Sequence, residues 1–279
     1  MQLRHIILPL ALSMAAACSD DDGVSVNERP PLGGVRFINA VADGGPVDIR
    51  MVDQVEWSAS SVNGTNIGLA FRSGTIHWPT EAKARHIRVF PTDSAIAVTS
   101  QILHDTTITI EANKNVTLLL VGSRAAGGKV SFVKIDDTPP ALTGSQIGVR
   151  MVNASGSGQV TTAASGYLTA TATSTLPSSA SFANVGAVSV SQYVVRDTGA
   201  FAIRVASPSD ASTIFASAAA PAGAPASGLV GVTAGASGPG SALSAYLFPR
   251  SVAGTAAPAT FTTPGIVWFV DKVPTPPSA

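Results

Sequence analysis

One cysteine, Cys18, stands in 279 residues, so no internal disulfide can staple the fold. Charged residues make up only 12% and the formal net charge is zero, which leaves no broad field to attract nucleic acid or an acidic surface. Aromatics are 6% of the chain, and the only early apolar run, Ile6 to Ala17, is too short to span a bilayer in the usual way. The familiar catalytic spacings are missing too. There is no HExxH, CxxC, Walker A or Rossmann glycine pattern. Gly122 to Gly128 ends without the Lys-Ser/Thr that phosphate cradling needs, and Gly235-Ala236-Ser237-Gly238-Pro239 misses the last glycine of a nucleophile elbow. The expectation is a protein that is not an enzyme, with no cofactor, no catalytic set and no metal site.

Gly, Ala, Ser and Thr fill the space left by charge and aromatics, and hydrophobic residues reach 45% with a mean hydropathy of +0.31. That balance suits short strands and tight turns better than long charged helices. At the N-terminus, Arg4 and His5, the apolar run and Ala15-Ala16-Ala17 read as an export signal over 1–17. Cys18 follows the small-residue triplet directly, an arrangement that resembles a bacterial lipobox with Ala15 in place of the usual Leu. Lipidation of Cys18 is the expectation, with simple cleavage after Ala17 and a free thiol as the alternative. Two or three acyl chains at about 0.8 kcal/mol per buried CH₂ would moor the chain without a transmembrane helix. The resemblance to bacterial lipoproteins implies the outer membrane rather than the inner one, since Ser19 and not Asp follows the cysteine. Residues 18–34, with Asp20-Asp21-Asp22 and Pro30-Pro31, read as a tether.

The mature chain then says one phrase twice. Val35-Arg36-Phe37-Ile38-Asn39-Ala40 returns as Val149-Arg150-Met151-Val152-Asn153-Ala154, each copy alternating apolar residues with an Arg before breaking at Asn. His86-Ile87-Arg88-Val89 is echoed by Ala202-Ile203-Arg204-Val205 in the same order. The ends rhyme as Phe132-Val133-Lys134-Ile135-Asp136-Asp137-Thr138-Pro139-Pro140 against Phe269-Val270-Asp271-Lys272-Val273-Pro274-Thr275-Pro276-Pro277. A period above a hundred residues is too long for a solenoid, so each copy should be a domain with its own core. The expected layout is a first β-sandwich over 35–138, a linker over 139–148 stiffened by Pro139-Pro140, a second, divergent β-sandwich over 149–273, and a frayed tail over 274–279.

The V-R-F-I-N-A phrase, the Asp turn before Pro46-Val47-Asp48, and Asp136-Asp137-Thr138-Pro139-Pro140 leading into a second V-R-x-V-N-A resemble the DUF4397 family. The resemblance implies an all-β architecture of antiparallel, immunoglobulin-like sandwiches, often in tandem, on bacterial secreted or lipid-anchored proteins. It brings no established activity and no catalytic residues. It covers most of 35–137 and, more loosely, 149–271, where Ser155-Gly156-Ser157-Gly158 replaces the Asp/Pro turn.

Strands are expected at Val47 to Met51 and around Ile87/Val89, Ile108/Ile110 and Phe132, with Val116 to Val121 apolar throughout as a central strand would be. In the second copy they are expected at Phe182 to Val190, Tyr193 to Val195, Phe201 to Val205, Leu229 to Thr233, Leu243 to Phe248 and Ile266 to Val270. Ala216 to Gly228 reads as a loop because Pro221 and Pro225 spoil an Ala-rich helix. Asp43 and Asp48, with Asp136 and Asp137, could hold Ca²⁺, but turn capping explains the same residues. Trp57, Trp78 and Trp268 could stack on sugar or serve as core pieces, with Trp78-Pro79 loop-like. His77, His86 and His104 fall at no ligand spacing. Three roles follow as expectations: a lipid-anchored structural or binding module for another envelope component, a carbohydrate-binding surface module assisted by Ca²⁺, and a hydrolase with an unfamiliar site. In the first two the partners are the membrane and an envelope protein or glycan.

Overall fold

The computed structural model describes residues 30–53, 64–155, 163–227 and 231–274. Cys18, Asp20-Asp21-Asp22 and Trp57 lie outside the described residues. Unit one begins with β1 (Leu32–Asn39), β2 (Val47–Met51), β3 (Gly64–Leu69), β4 (Ser73–Gly74) and β5 (Trp78–Glu81). It continues with β6 (Ala84–Pro91), a single helical turn α1 (Ile96–Thr99), β7 (His104–Thr109), β8 (Asn115–Gly122) and β9 (Val130–Asp136). Unit two holds β10 (Gln146–Asn153), β11 (Ala163–Thr169), β12 (Phe182–Gly186), β13 (Ser189–Val190) and β14 (Val194–Asp197). It closes with β15 (Ala202–Ala206), β16 (Ile214–Ala219), β17 (Ala242–Phe248) and β18 (Gly265–Lys272).

Each unit is two sheets wired the same way. In unit one the strand order is β4-β1-β8-β9 with β5 also on β1, facing a sheet β3-β2-β6-β7. In unit two it is β13-β10-β17-β18 with β14 on β10, facing β12-β11-β15-β16. All pairs are antiparallel except β1 with β8 and β10 with β17, which run parallel at equivalent places. This is an all-β pair of sandwich-like units, as the composition implied. Alternation decides the faces: Val35 and Phe37, Ile49, Ile87 and Val89, and Leu118 and Leu120 enter the core of unit one. Val149 and Met151, Ile203 and Val205, and Leu243 and Leu247 enter that of unit two.

The second face of the β1/β8 sheet is buried as well. Ile38, Leu119 and Ile135 meet Val152, Tyr246 and Phe248 in a third cluster between the units. A single-faced sheet would need alternate polar residues on β8, but both of its faces are covered, which is why Val116 to Val121 is apolar almost throughout. Phe71 sits edge-on to Phe248 at 6.2 Å and to Phe261 at 5.7 Å, and Val252 N donates to Ala42 O at 2.9 Å across the junction.

Several elements differ from the sequence reading. β11 is a strand that the small residues Ala163 to Gly166 concealed. β16 takes in Ala216–Ala219, so the expected loop starts later, at Ala220. Phe182 to Val190 is two strands, β12 and β13, because Val188 adopts φ 52 between them. The expected strand ending at Thr233 is only a lone bridge from Thr233 to Ala224 among its described residues. Trp78-Pro79 lies in β5, where Pro79 is exposed on an outer strand and gives up no core hydrogen bond. At the far end Pro274 is buried, while 275–279 lie outside the described residues.

Candidate functional site

The Arg of the repeated phrase is the organising group of the molecule's most polar interior. Arg36 on β1 and Arg150 on β10 point away from their own cores, and at 1% and 3% exposure both are enclosed where the two units meet. Their partners are exchanged. Arg36 Nη2 donates to Asp271 Oδ1 of unit two at 2.6 Å, and Arg150 Nη2 donates to Asp137 Oδ1 of unit one. Each guanidinium also anchors to a hydroxyl on the neighbouring parallel strand of its own unit: Arg36 Nε to Thr117 Oγ1 at 2.8 Å, Arg150 Nε to Ser244 Oγ at 2.7 Å. Each reaches a backbone carbonyl across the junction, Val270 O for Arg36 and Asp136 O for Arg150, both at 3.1 Å. The hydroxyls complete the circuit, with Thr117 Oγ1 donating to Asp137 Oδ2 at 2.5 Å and Ser244 Oγ donating to Asp271 Oδ2.

One more ligand joins each carboxylate, and here the halves differ. His77 Nε2 lies 2.7 Å from Asp137 Oδ2, whereas Tyr193 donates its hydroxyl to Asp271 Oδ2 at 2.7 Å. The seam is therefore a reciprocal ion-pair lock with near two-fold pairing. Burial by itself would lower the charge affinity of Arg36, but the carboxylates of Asp271 and Asp137 oppose it and the guanidinium is held above its ordinary pKa. Arg150 is likewise raised against its burial, chiefly by Asp271 and then by Asp137. Asp137 is lowered: burial opposes its charge, yet the His77 hydrogen bond and the two arginines prevail. Tyr193 and Tyr246 are pushed up by burial first, so both stay neutral phenols.

The Asn that ends each phrase is also spoken for. Asn39 Nδ2 donates to Leu69 O at 2.9 Å and its Oδ1 accepts from Val41 N, while Asn153 does the same with Val185 O and Ser155 N. Buried side-chain amides here stitch the end of β1 or β10 to the strand of the opposite sheet. A cavity of about 620 Å³ opens beside the seam, with Ile76, His77, Asn115, Phe269, Lys272 and Val273 among its walls.

The other residues singled out in the sequence scatter. Asp43 accepts from the backbone N–H groups of Arg124 and Ala125, Asp48 from Gly68 N and the Thr92 hydroxyl, and Asp137 belongs to the seam. Among the described residues no His/Cys/Asp/Glu group is arranged to hold a metal. His86 pairs with Asp105 on an exposed face, His104 sits edge-on to Phe132 at 5.6 Å, and only His77 reaches the seam. Trp78 packs partly buried on the core of unit one and Trp268 on that of unit two. Arg36, Arg150 and Asp271 went unnoticed. The signal was present: an Arg repeated inside an otherwise apolar phrase has to be neutralised wherever both faces of its strand are covered.

The fold and the seam together define a class, a tandem β-sandwich protein whose two units are joined by their outer sheets. Residues 33–163 match the model of a domain of unknown function, DUF4397, and the matched stretch runs through unit one to the first residue of β11. No curated protein matches the chain.

Proposed function

We propose that the chain is an exported cell-envelope protein, lipid-anchored through Cys18, in which two homologous sandwiches act without catalysis as one rigid structural or binding module for another surface component. The observation that carries this reading is how the buried polar groups are used: Arg36 pairs with Asp271 and Arg150 with Asp137 across the junction, and His77 and Tyr193 complete the two carboxylates from within their own units. Groups satisfied in this way hold a shape. The export-type N-terminus and Cys18 supply the address, and the similarity to DUF4397 fits a surface role without naming one. The strand-for-strand match of β1–β9 to β10–β18 supports descent of the two units from one duplicated domain. Among the described residues no helix is long and apolar enough to cross a membrane, and an acyl anchor would not need one.

Crosslinking capture from intact envelopes tests the proposal, comparing the natural chain with Cys18→Ala. The expected result is a reproducible partner and membrane fractionation for the natural chain, both lost in the variant. A natural chain that fractionates as a soluble protein would remove the anchor. Failure to recover any reproducible partner would remove the module.

A further inference from the structure

β1 runs away from the tether, which joins it at Leu32, and the far ends of the two units meet. There Val252 N donates to Ala42 O at 2.9 Å and Phe71 lies edge-on to Phe248. At about 3.3 Å per residue, the eight residues of β1 set that end roughly 26 Å beyond its start. It is also where the units differ most. β8 and β9 are joined by the short hairpin 123–129, whereas β17 and β18 are joined by 249–264, with no strand or helix of its own. Past about 12–15 residues, such a loop in a compact domain is usually functional. This one is held in place. Ser251 N donates to Phe261 O at 2.8 Å, and Arg72 of unit one donates to Pro249 O and Thr263 O with its guanidinium over the Phe261 ring at 4.5 Å.

Inside the loop lies a cavity of about 570 Å³, the size of a small-ligand site, with Arg250, Ser251, Val252, Thr255, Phe261 and Thr262 among its walls. Arg250 is exposed and its guanidinium has no partner among the described residues. The hydroxyls of Ser251 and Thr255 donate to Pro258 O and Val252 O at 2.7 Å each, so toward a ligand they offer only lone pairs. A second cation stands beside the loop. A Cβ on Gly44 would lie 2.6 Å from Arg124 Cδ, and one on its neighbour Gly45 would lie 3.5 Å from Ala256 Cβ. Asp43, next to Arg124, is already engaged by the N–H groups of Arg124 and Ala125.

We propose that this pocket binds an acidic sugar unit of an envelope polysaccharide, its carboxylate on Arg250, its hydroxyls donating to Ser251 and Thr255, and its carbon skeleton against Val252 and Phe261. A guanidinium grips a carboxylate through two parallel hydrogen bonds, and oxygens that can only accept call for a ligand rich in hydroxyl donors. A neutral sugar or a bare inorganic anion satisfies only half of such a wall. The inference rests on the binding-module reading above, names its ligand class, and sets the site at the end turned away from the anchor.

The test titrates trigalacturonate into the isotope-labelled full chain at low salt. Saturable shifts should centre on residues 250–262. Arg250→Gln, a surface change, should weaken binding tenfold or more. The methyl-esterified trimer keeps its ring hydroxyls and loses its charge, and should bind tenfold or more weakly. Inorganic phosphate at equal concentration should not displace the trimer. No saturable shift, shifts centred elsewhere, equal binding by the ester, binding unchanged by Arg250→Gln, or displacement by phosphate would each overturn the proposal, the last by leaving a bare anion site. If envelope capture still returns a partner when the trimer fails, the pocket falls and the module stands. If both fail, both fall.

Discussion

Asp137 accepts from Thr117 and Arg150, faces Arg36 Nη2 at 3.4 Å and has His77 at 2.7 Å, all with its side chain fully enclosed. A carboxylate held so is worth most while ionised. Because its folded pKa is depressed, its contribution is present above the unfolded carboxylate value of about 4 and is lost as pH falls through the folded value. Melting temperature should therefore be level from about pH 8 to pH 5 and drop below about pH 4, and Asp137→Asn should flatten that acid limb. The arginines answer to the same logic. Removing one partner strands a buried charge, so Arg36→Ala should cost about 3–5 kcal/mol, read from urea unfolding. Arg36→Met with Asp271→Leu should cost less than the sum of the two single changes, a coupling of about 1 kcal/mol or more in a double-mutant cycle. Tyr246 presents the opposite case. Its hydroxyl is buried in the junction with no hydrogen-bond partner among the described residues, and Leu119 holds the equivalent place in unit one. Tyr246→Phe should be neutral or stabilising by up to about 1 kcal/mol, because an unpaired buried hydroxyl only adds desolvation cost.

Individual strands were legible where side chains alternate in size and polarity. β1, β2, β6, β10 and β15 announce themselves through Val/Arg/Ile periodicity, and the Asn-ended phrase marks the same strand in each unit. Legibility failed where small residues carry the strand. β11 and β16 are mostly Ala, Ser, Gly and Thr, whose strand character comes from pairing with β15 on either side rather than from any propensity of their own. Register failed too. The rhyme of the two ends set Asp271 opposite Lys134, but the ladders set Ile135 against Thr117 and Phe269 against Ser244, so Asp271 is the counterpart of Asp137. Three residues of slippage hid the very pair that locks the units, because rhyme in sequence follows residue names and the ladder follows burial. At the β8–β9 hairpin the backbone itself is the constraint. Gly122 has φ 111, and a Cβ there would fall 2.1 Å from Lys129 O. Gly122→Ala should lower the urea midpoint by the equivalent of about 1–3 kcal/mol with the m-value unchanged.

At the scale of the molecule, the seam decides whether two sandwiches behave as two domains or as one body. A linker between independent domains lets them swing, and interfaces of that kind are modest and polar. Here the junction combines a charge lock with an apolar cluster of Ile38, Leu119, Val152, Tyr246 and Phe248, and Arg72 spans it to Pro249 O and Thr263 O at 2.5 Å each. Burial pulls the Arg72 pKa down to about 10, so that bridge too remains cationic at neutral pH. Apolar contact at roughly 1.5–3 kcal/mol per large side chain couples the units more strongly than a tether could, and the ion pairs fix which faces meet. Calorimetry should then show one cooperative transition for the natural chain, with calorimetric and van't Hoff enthalpies equal. Arg150→Ala together with Phe248→Ala removes both the charge register and the apolar contact, and should split that transition in two. Unit two should melt first, since Phe248 and Arg150 are its own residues and its outer sheet loses its cover. Two transitions in the natural chain would mean that the seam touches without coupling, and a module whose halves move separately could not present a surface of fixed shape.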